Sequence, residues 1–299
     1  NVKKDSQDGR FSIRLSIGDV EVRVSVLPGA YNESVVMRLL NPKSINVPLE
    51  SLGIHPKLLD ILLKEMNRPD GMLLTTGPTG SGKTTTLYAI TMKLNAPDTK
   101  IITLEDPIEY RLSGINQSQV DWSKGYTFAK GLRAMLRQDP DTVLVGEIRD
   151  QETARIAMQA AQTGHLVLST LHTDDAPSCV TRLTDIGIEP YVSASALIGV
   201  VAQRLMRRLC MPCRRPYTPD AETLRAMSIS EAEASTLTFY RAVGCDQCNH
   251  TGYRGRVGIY EIMYVSDKLR REIAQHARGA GLQHKDAARQ GVAFQRGLV

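Results

Sequence analysis

The sequence predicts an α/β protein: a parallel sheet covered by helices, preceded by a small α+β domain that is mostly antiparallel sheet and carrying an inserted four-cysteine module. Three observations predict it. Short apolar strands alternate with helical patterns from about residue 57, residues 11–40 alternate apolar and polar positions around turn signals, and two CxxC pairs lie in the C-terminal half. Strands that are apolar throughout need cover on both faces, which is the setting of a parallel sheet.

The N-terminal stretch reads as sheet. In FSIRLSIGDVEVRVSV, Phe11, Ile13, Leu15 and Ile17 alternate with polar residues, Gly18-Asp19 supplies a hairpin turn, and Val20, Val22, Val24 and Val26 resume the alternation. One face is expected to be buried, with Arg14, Glu21 and Arg23 on the other. SVVMRLL makes a third strand after the PGAYNE turn. NPKSINVPLESLGIHP has three prolines and no periodicity, so it reads as a linker. The expected division is a sheet domain over 1–42, a linker over 43–56 and an α/β domain over 57–299, with the cysteine module at about 205–255. Asn1 is not an initiator residue, so a further N-terminal region is expected.

Within the α/β domain GMLLTTG, KIITLED, DTVLVGE and HLVLSTLHT read as strands. SGKTTTLYAITMKL, FAKGLRAMLRQ and ETARIAMQAAQTG read as the helices between them. No run of 18 apolar residues occurs and the opening NVKKDSQDGR is polar, so neither a membrane span nor a secretory signal is expected. Membrane contact would pass through a partner. The net charge of +5 admits nucleic acid, anionic lipid or an acidic protein face without choosing among them.

TTGPTGSGKTTTLYAI places a glycine-rich turn between a strand and a helix, and Gly77-x4-Gly82-Lys83-Thr84 is a full Walker A match. Glycines let backbone N–H groups turn inward around phosphate oxygens, and the helix N-terminus adds partial positive charge. The candidate nucleotide-binding residues are Gly77, Pro78, Thr79, Gly80, Ser81, Gly82, Lys83, Thr84 and Thr85, with Lys83 on the β- and γ-phosphates and Thr84 on Mg²⁺. The next two strands end in acids, Glu105-Asp106 and Glu147. Strand ends of this kind lie beside the ligand site of an open parallel sheet, where a carboxylate can activate water or hold Mg²⁺. The aspartate that usually ends a Walker B strand is Gly146 here, which leaves metal holding to Thr84, waters, Glu105 or Glu147. His172 ends the following strand, where a γ-phosphate sensor or an ordinary hydrogen-bonded histidine both fit. His165, at the strand's other end, reads as packed.

Cys210-x2-Cys213 and Cys245-x2-Cys248 enclose 31 residues. Two thiolate knuckles of this kind can close an all-sulfur tetrahedral zinc site, which leaves no open position and is therefore structural. An odd fifth cysteine, Cys179, reads as core, and His250 is a possible substitute ligand. Arg204, Arg207, Arg208, Arg214 and Arg215 cluster around the first knuckle as a basic face without interleaved aromatics.

GPTGSGKTTTLYA, TLEDPIEY, LRQDPDTVLVGEIRD and TGHLVLSTLHT, in this order, resemble the Walker A, Asp box, Walker B and His box of the type II secretion and type IV pilus-assembly ATPases. The resemblance runs from QDGRF to about residue 265. It implies a RecA-like P-loop ATPase core and a cytoplasmic homo-hexamer that hydrolyses ATP with Mg²⁺. Such a motor is recruited by partner proteins beneath an inner-membrane platform and drives pseudopilus or pilus assembly, with no nucleic acid. By matched position the resemblance makes Lys83 and Thr84 nucleotide ligands, Glu147 the catalytic glutamate and Glu105 a second acid. It assigns γ-phosphate contacts to Arg23 and Arg38, and nucleotide-site or interface roles to Arg133, Arg137 and Arg149. The tetracysteine module accompanies the secretion and assembly ATPases and is missing from the retraction ATPases. Two departures are the family's recruitment domain, which is not in this sequence, and the end at GVAFQRGLV, where members usually run on. Basic charge and a P-loop also fit a nucleic-acid-dependent ATPase.

Overall fold

A computed structural model describes residues 5–15, 18–40, 47–227, 229–275 and 292–294. Strands β1 (Gln7–Leu15), β2 (Gly18–Pro28) and β3 (Glu33–Leu40) form an antiparallel sheet in that order. Its register sets Phe11 opposite Val22 and Val22 opposite Leu39, so the valines and their neighbours share one face. Arg10, Arg23 and Arg38 line up across the other.

Burial of the apolar face is confined to the middle strand. Val20 and Val22 are buried, whereas Phe11 is 47% exposed, Met37 62% and Leu39 68%. In a three-stranded sheet neighbouring side chains shield the centre and leave the flanks open. The arginine face is the one that docks: Arg23 donates to Glu109 Oε1 at 3.1 Å and to the Ile108 carbonyl at 2.7 Å, and Arg10 donates to Gln119 Oε1 at 3.1 Å.

Positions 43–46 of the expected linker lie outside the described residues. A 3₁₀ turn at Leu49–Leu52 follows, with Leu49 and Ile54 buried against the main domain. The chain then alternates: α1 (Pro56–Met66), β4 (Gly71–Thr76), α2 (Lys83–Leu94), β5 (Ile101–Glu105), β6 (Asn116–Gln119), α3 (Phe128–Met135), β7 (Thr142–Val145), α4 (Gln151–Gln162), β8 (Leu166–Thr170), α5 (Ser178–Asp185), α6 (Pro190–Ala196) and β9 (Leu197–Leu209). Next come β10 (Arg215–Tyr217), α7 (Ala221–Ala226), α8 (Glu231–Ala234), β11 (Phe239–Arg241), β12 (Tyr253–Tyr264), α9 (Asp267–Gln275) and β13 (Val292–Phe294).

The large sheet has eight strands in the order β13-β12-β9-β4-β8-β7-β5-β6. Pairing is parallel from β9 to β6 and antiparallel where β12 meets β9 and β13. Successive residues of β4 explain why the strands are apolar throughout. Met72 and Leu74 enter a core with α3, α4, α5, α6 and α9, while Leu73 enters a second core with α1 and α2. Both faces of the central strands are covered.

Strand β9 has two environments. Leu197 to Gln203 are buried beside β4, and beyond Gln203 the strand leaves the sheet as a ribbon paired only with β12, ending at the first cysteine knuckle. The β10–β11 hairpin, α7 and α8 lie between the two knuckles.

Candidate nucleotide site and four-cysteine cluster

The loop between β4 and α2 takes a shape that only glycine permits at its key positions. Gly77 has φ 139°, and a Cβ there would meet the Gln203 carbonyl oxygen at 2.3 Å. Gly82 has φ 93° and caps the N-terminus of α2. Lys83, the first helical residue, folds back over the loop. Its Nζ donates to the Gly77 carbonyl at 2.7 Å and to the Pro78 carbonyl at 3.2 Å, and lies 3.4 Å from His172 Nδ1. Partial burial holds the Lys83 ammonium below its usual range, against the pull of Glu147. Burial and then the Lys83 charge keep His172 below the ordinary histidine value, which favours a neutral ring at neutral pH.

A cleft of about 520 Å³ opens over this loop. It is lined by Thr79 through Thr85, by Glu105 and Glu147 from the ends of β5 and β7, by Arg149 and His172, and by Arg38 from β3. As the strand-end argument expects, the acids and the glycine-rich loop lie together. Glu147 lies at the edge of β7 with Arg149 Nη2 at 2.6 Å and His172 Nε2 at 3.8 Å. Glu105 is held differently. Tyr88 Oη donates to one of its oxygens, and Thr103 Oγ1 at 2.6 Å and Gln117 Nε2 at 3.1 Å donate to the other. Burial and the Glu105 charge push the Tyr88 phenol well above the usual tyrosine range, so it remains a donor. Of the two acids, Glu147 is the freer to meet water.

Gly146 shows why no aspartate precedes Glu147. A Cβ there would lie 3.3 Å from Glu105 Cα and 3.3 Å from the Leu104 carbonyl oxygen, both backbone atoms of the adjacent strand.

Three arginines singled out in the sequence sit outside this cleft. Arg23 is occupied by Glu109 and Ile108; Arg133, on α3, donates to Glu152 of α4 at 2.8 Å; Arg137 donates to the Arg133 carbonyl at 2.9 Å. His165 is tied locally, with Nδ1 3.2 Å from the Ala160 carbonyl oxygen, and Cys179 is core. Asp106, which follows Glu105 at the end of β5 as the sequence indicates, accepts at Oδ2 from Trp122 Nε1 at 2.9 Å. The sequence does not single out Gln203, Leu205 or Arg256, which reach the site from β9 and β12, far along the chain, and only the polar Gln203 within an apolar run offers a signal.

The cysteines converge as their spacing predicts. Sγ of Cys210 lies 3.9 Å from that of Cys245, Cys213 lies 3.9 Å from Cys248, Cys245 lies 3.8 Å from Cys248, and all four sulfurs fall within 4.8 Å of one another. Four sulfurs at about 2.3 Å from a tetrahedral ion stand about 3.8 Å apart, so the spacing fits zinc. Backbone N–H groups of Cys245 and Gly252 point at Cys248 Sγ from 3.2 and 3.3 Å, the arrangement that stabilises a thiolate. His250 turns away to Asp246 at 3.0 Å and is not needed as a ligand.

A sequence profile of the family described as "Type II/IV secretion system protein" matches residues 3–298. The chain belongs to that family. Among relatives of this secretion family, it is 52% identical over 275 residues to "Type II secretion system ATPase E" of Vibrio cholerae, covering 92% of this chain and 54% of that protein. It is 48% identical over 271 residues to "Type IV pilus assembly ATPase PilB" of Thermus thermophilus, covering 91% of this chain and 30% of that protein. The chain thus spans about half the length, or less, of these relatives. Among solved structures, the pilus retraction motor PilT with bound ADP superposes with a TM-score of 0.65 at 30% identity, over 91% of this chain and 67% of that one. Legionella pneumophila DotB, at 21% identity and a TM-score of 0.60, shares the fold.

Proposed function

We propose that this chain is the motor portion of a type II secretion ATPase, a cytoplasmic P-loop enzyme that works as a homo-hexamer and hydrolyses ATP to drive pseudopilus assembly. The observation that carries the reading is the placement of Lys83 and Glu147 on one cleft in a chain half identical to a secretion ATPase. Lys83 and the loop N–H groups bind the β- and γ-phosphates, and phosphate oxygens replace the carbonyls that Lys83 now holds. Mg²⁺, held through Thr84, would neutralise charge on the phosphates. Glu147 accepts a proton from the attacking water as the bond to the leaving ADP breaks. That role requires Arg149 to release Glu147, and a guanidinium freed in this way is available to the γ-phosphate. Arg38 reaches the same cleft from the first sheet, with Arg23 beside it. Zinc in the four-cysteine cluster is structural, and membrane recruitment passes through partners.

Glu147→Gln is expected to bind ATP and to hydrolyse it at least about 10²-fold more slowly, because an amide cannot take the proton. Near-parental turnover by this variant refutes the assignment and moves the base to Glu105. Strong stimulation of the parent by DNA or RNA would favour a nucleic-acid motor instead. The similarity to a pilus-assembly ATPase supports a second reading, assembly of a pilus by the same chemistry.

A further inference from the structure

The phosphate loop is clamped by the residue from which the cysteine arm leaves the sheet. Gln203 is the last buried residue of β9 before the strand leaves the sheet. Its Nε2 donates to the Ser81 carbonyl at 2.8 Å. Its own carbonyl oxygen is what forbids a side chain at Gly77, and Nε2 lies 3.1 Å from where a Cβ of Gly82 would be. One residue therefore touches both ends of the Gly77–Gly82 turn. Leu205, the second residue out along the ribbon, packs on Gly82 as well.

The other end of that ribbon is the four-cysteine cluster. Cys210 stands seven positions beyond Gln203, about 23 Å of extended chain. Over that span β9 pairs only with β12, and the Cys210 N–H closes the ribbon on the Gly252 carbonyl at 2.9 Å. An isolated two-stranded ribbon is marginal in water, so its order depends on what is fixed at each end. The cluster fixes one end and the Gln203 clamp the other. Gln203 Oε1 and Ser81 Oγ are both buried without a hydrogen-bond partner among the described residues.

We infer that Gln203 is a positioning residue that couples the four-cysteine arm to the phosphate loop, so that metal at the cluster and nucleotide at the loop strengthen each other's binding. Metal stiffens the ribbon, the ribbon holds the Gln203 side chain over Ser81, and the held loop presents its N–H groups to phosphate. Coupling between two sites is reciprocal, so nucleotide tightens the hold on metal by the same factor.

The inference rests on the nucleotide reading above, and the experiment separates the two. Affinity for a fluorescent ADP analogue is measured on zinc-loaded and zinc-stripped protein, for the parent and for Gln203→Met, which keeps the shape and removes the donor. The loaded variant is expected to bind about tenfold more weakly than the loaded parent. Stripping is expected to weaken the parent about fivefold and to leave the variant unchanged. Should stripping or the methionine disturb folding, chelator competition on loaded protein with and without nucleotide gives the reciprocal measurement, and Gln203→Asn, which withdraws the amide without removing it, replaces methionine. Zinc affinity should rise about fivefold with nucleotide in the parent and not in the variant. Equal nucleotide affinity with and without metal, or the same metal dependence in parent and variant, overturns the coupling. A parent that binds no nucleotide at all overturns the nucleotide reading and this inference with it.

Discussion

Gly146→Asp would restore the residue that usually ends a Walker B strand, and the structure predicts that it damages the protein. The new Cβ would meet Glu105 Cα and the Leu104 carbonyl oxygen, each at 3.3 Å. Neither can retreat freely, because the Gly146 N–H donates to that same carbonyl at 2.8 Å and the Gly146 carbonyl accepts from Thr170 Oγ1 at 2.9 Å. Overpacking of this kind costs about 1–3 kcal/mol. The carboxylate adds a second negative charge beside Glu105, whose oxygens already have their donors, and this raises the expected total to about 2–4 kcal/mol. At about 2–4 °C per kcal/mol for a domain of this size, the melting temperature should fall by about 4–16 °C. Gly146→Ala supplies the packing part alone and should fall by about half as much. Thermal unfolding followed by circular dichroism, with ATP turnover measured alongside, tests both variants. An aspartate variant that melts with the parent and turns over ATP faster would show that space at position 146 is not why glycine stands there.

Further expectations follow from the same geometry. The folded protein keeps the Tyr88 proton above the pH, about 10, at which an unfolded chain loses it. The stabilisation is therefore complete below about pH 10 and declines as pH rises past it. Tyr88→Phe should flatten this decline in denaturant titrations, and an unchanged slope would exclude Tyr88 as its source. Protein purified without added metal should contain about one zinc per chain, and Cys245→Ser should lower both zinc content and melting temperature; a stoichiometry near zero in reduced protein refutes the cluster. Arg23→Ala and Arg38→Ala should each lower turnover at least about tenfold with zinc content unchanged. Parental rates in both, under conditions where the parent forms hexamers, would leave the first sheet as a spacer.

Local signals account for what could be read directly from the sequence. The glycine-rich turn declares itself because glycine spacing, Lys83 and a flanking strand and helix are contiguous. Glu105 and Glu147 come to the same cleft because parallel strands bring their C-terminal ends to one edge. The cysteine cluster followed from paired spacing alone. Features that depend on distant packing were hidden. Nothing in β1 says that Phe11 and Leu15 stay exposed among the described residues, since alternation reports which face is apolar and not whether anything lies on it. Nor does the sequence say that Tyr88, Thr103 and Gln117 converge on Glu105, or that Gln203 closes on Ser81 across 122 positions. Those contacts are made by the sheet order, which places β9 beside β4 although five helices and four strands intervene.

The first sheet has two faces that respond oppositely to the choice of salt. Its arginine side is held to the main domain by charged contacts such as Arg23 with Glu109, which dissolved ions screen. Its apolar side, with Phe11, Ile13, Val35, Met37 and Leu39 in water, is the kind of surface that excluded anions such as sulfate drive toward other apolar matter. Ammonium sulfate should therefore both loosen the sheet's docking and salt the protein out, with retention on a phenyl resin and enhanced fluorescence of a hydrophobic dye. A dilute chloride buffer opposes both effects and is the medium in which this chain should stay dispersed.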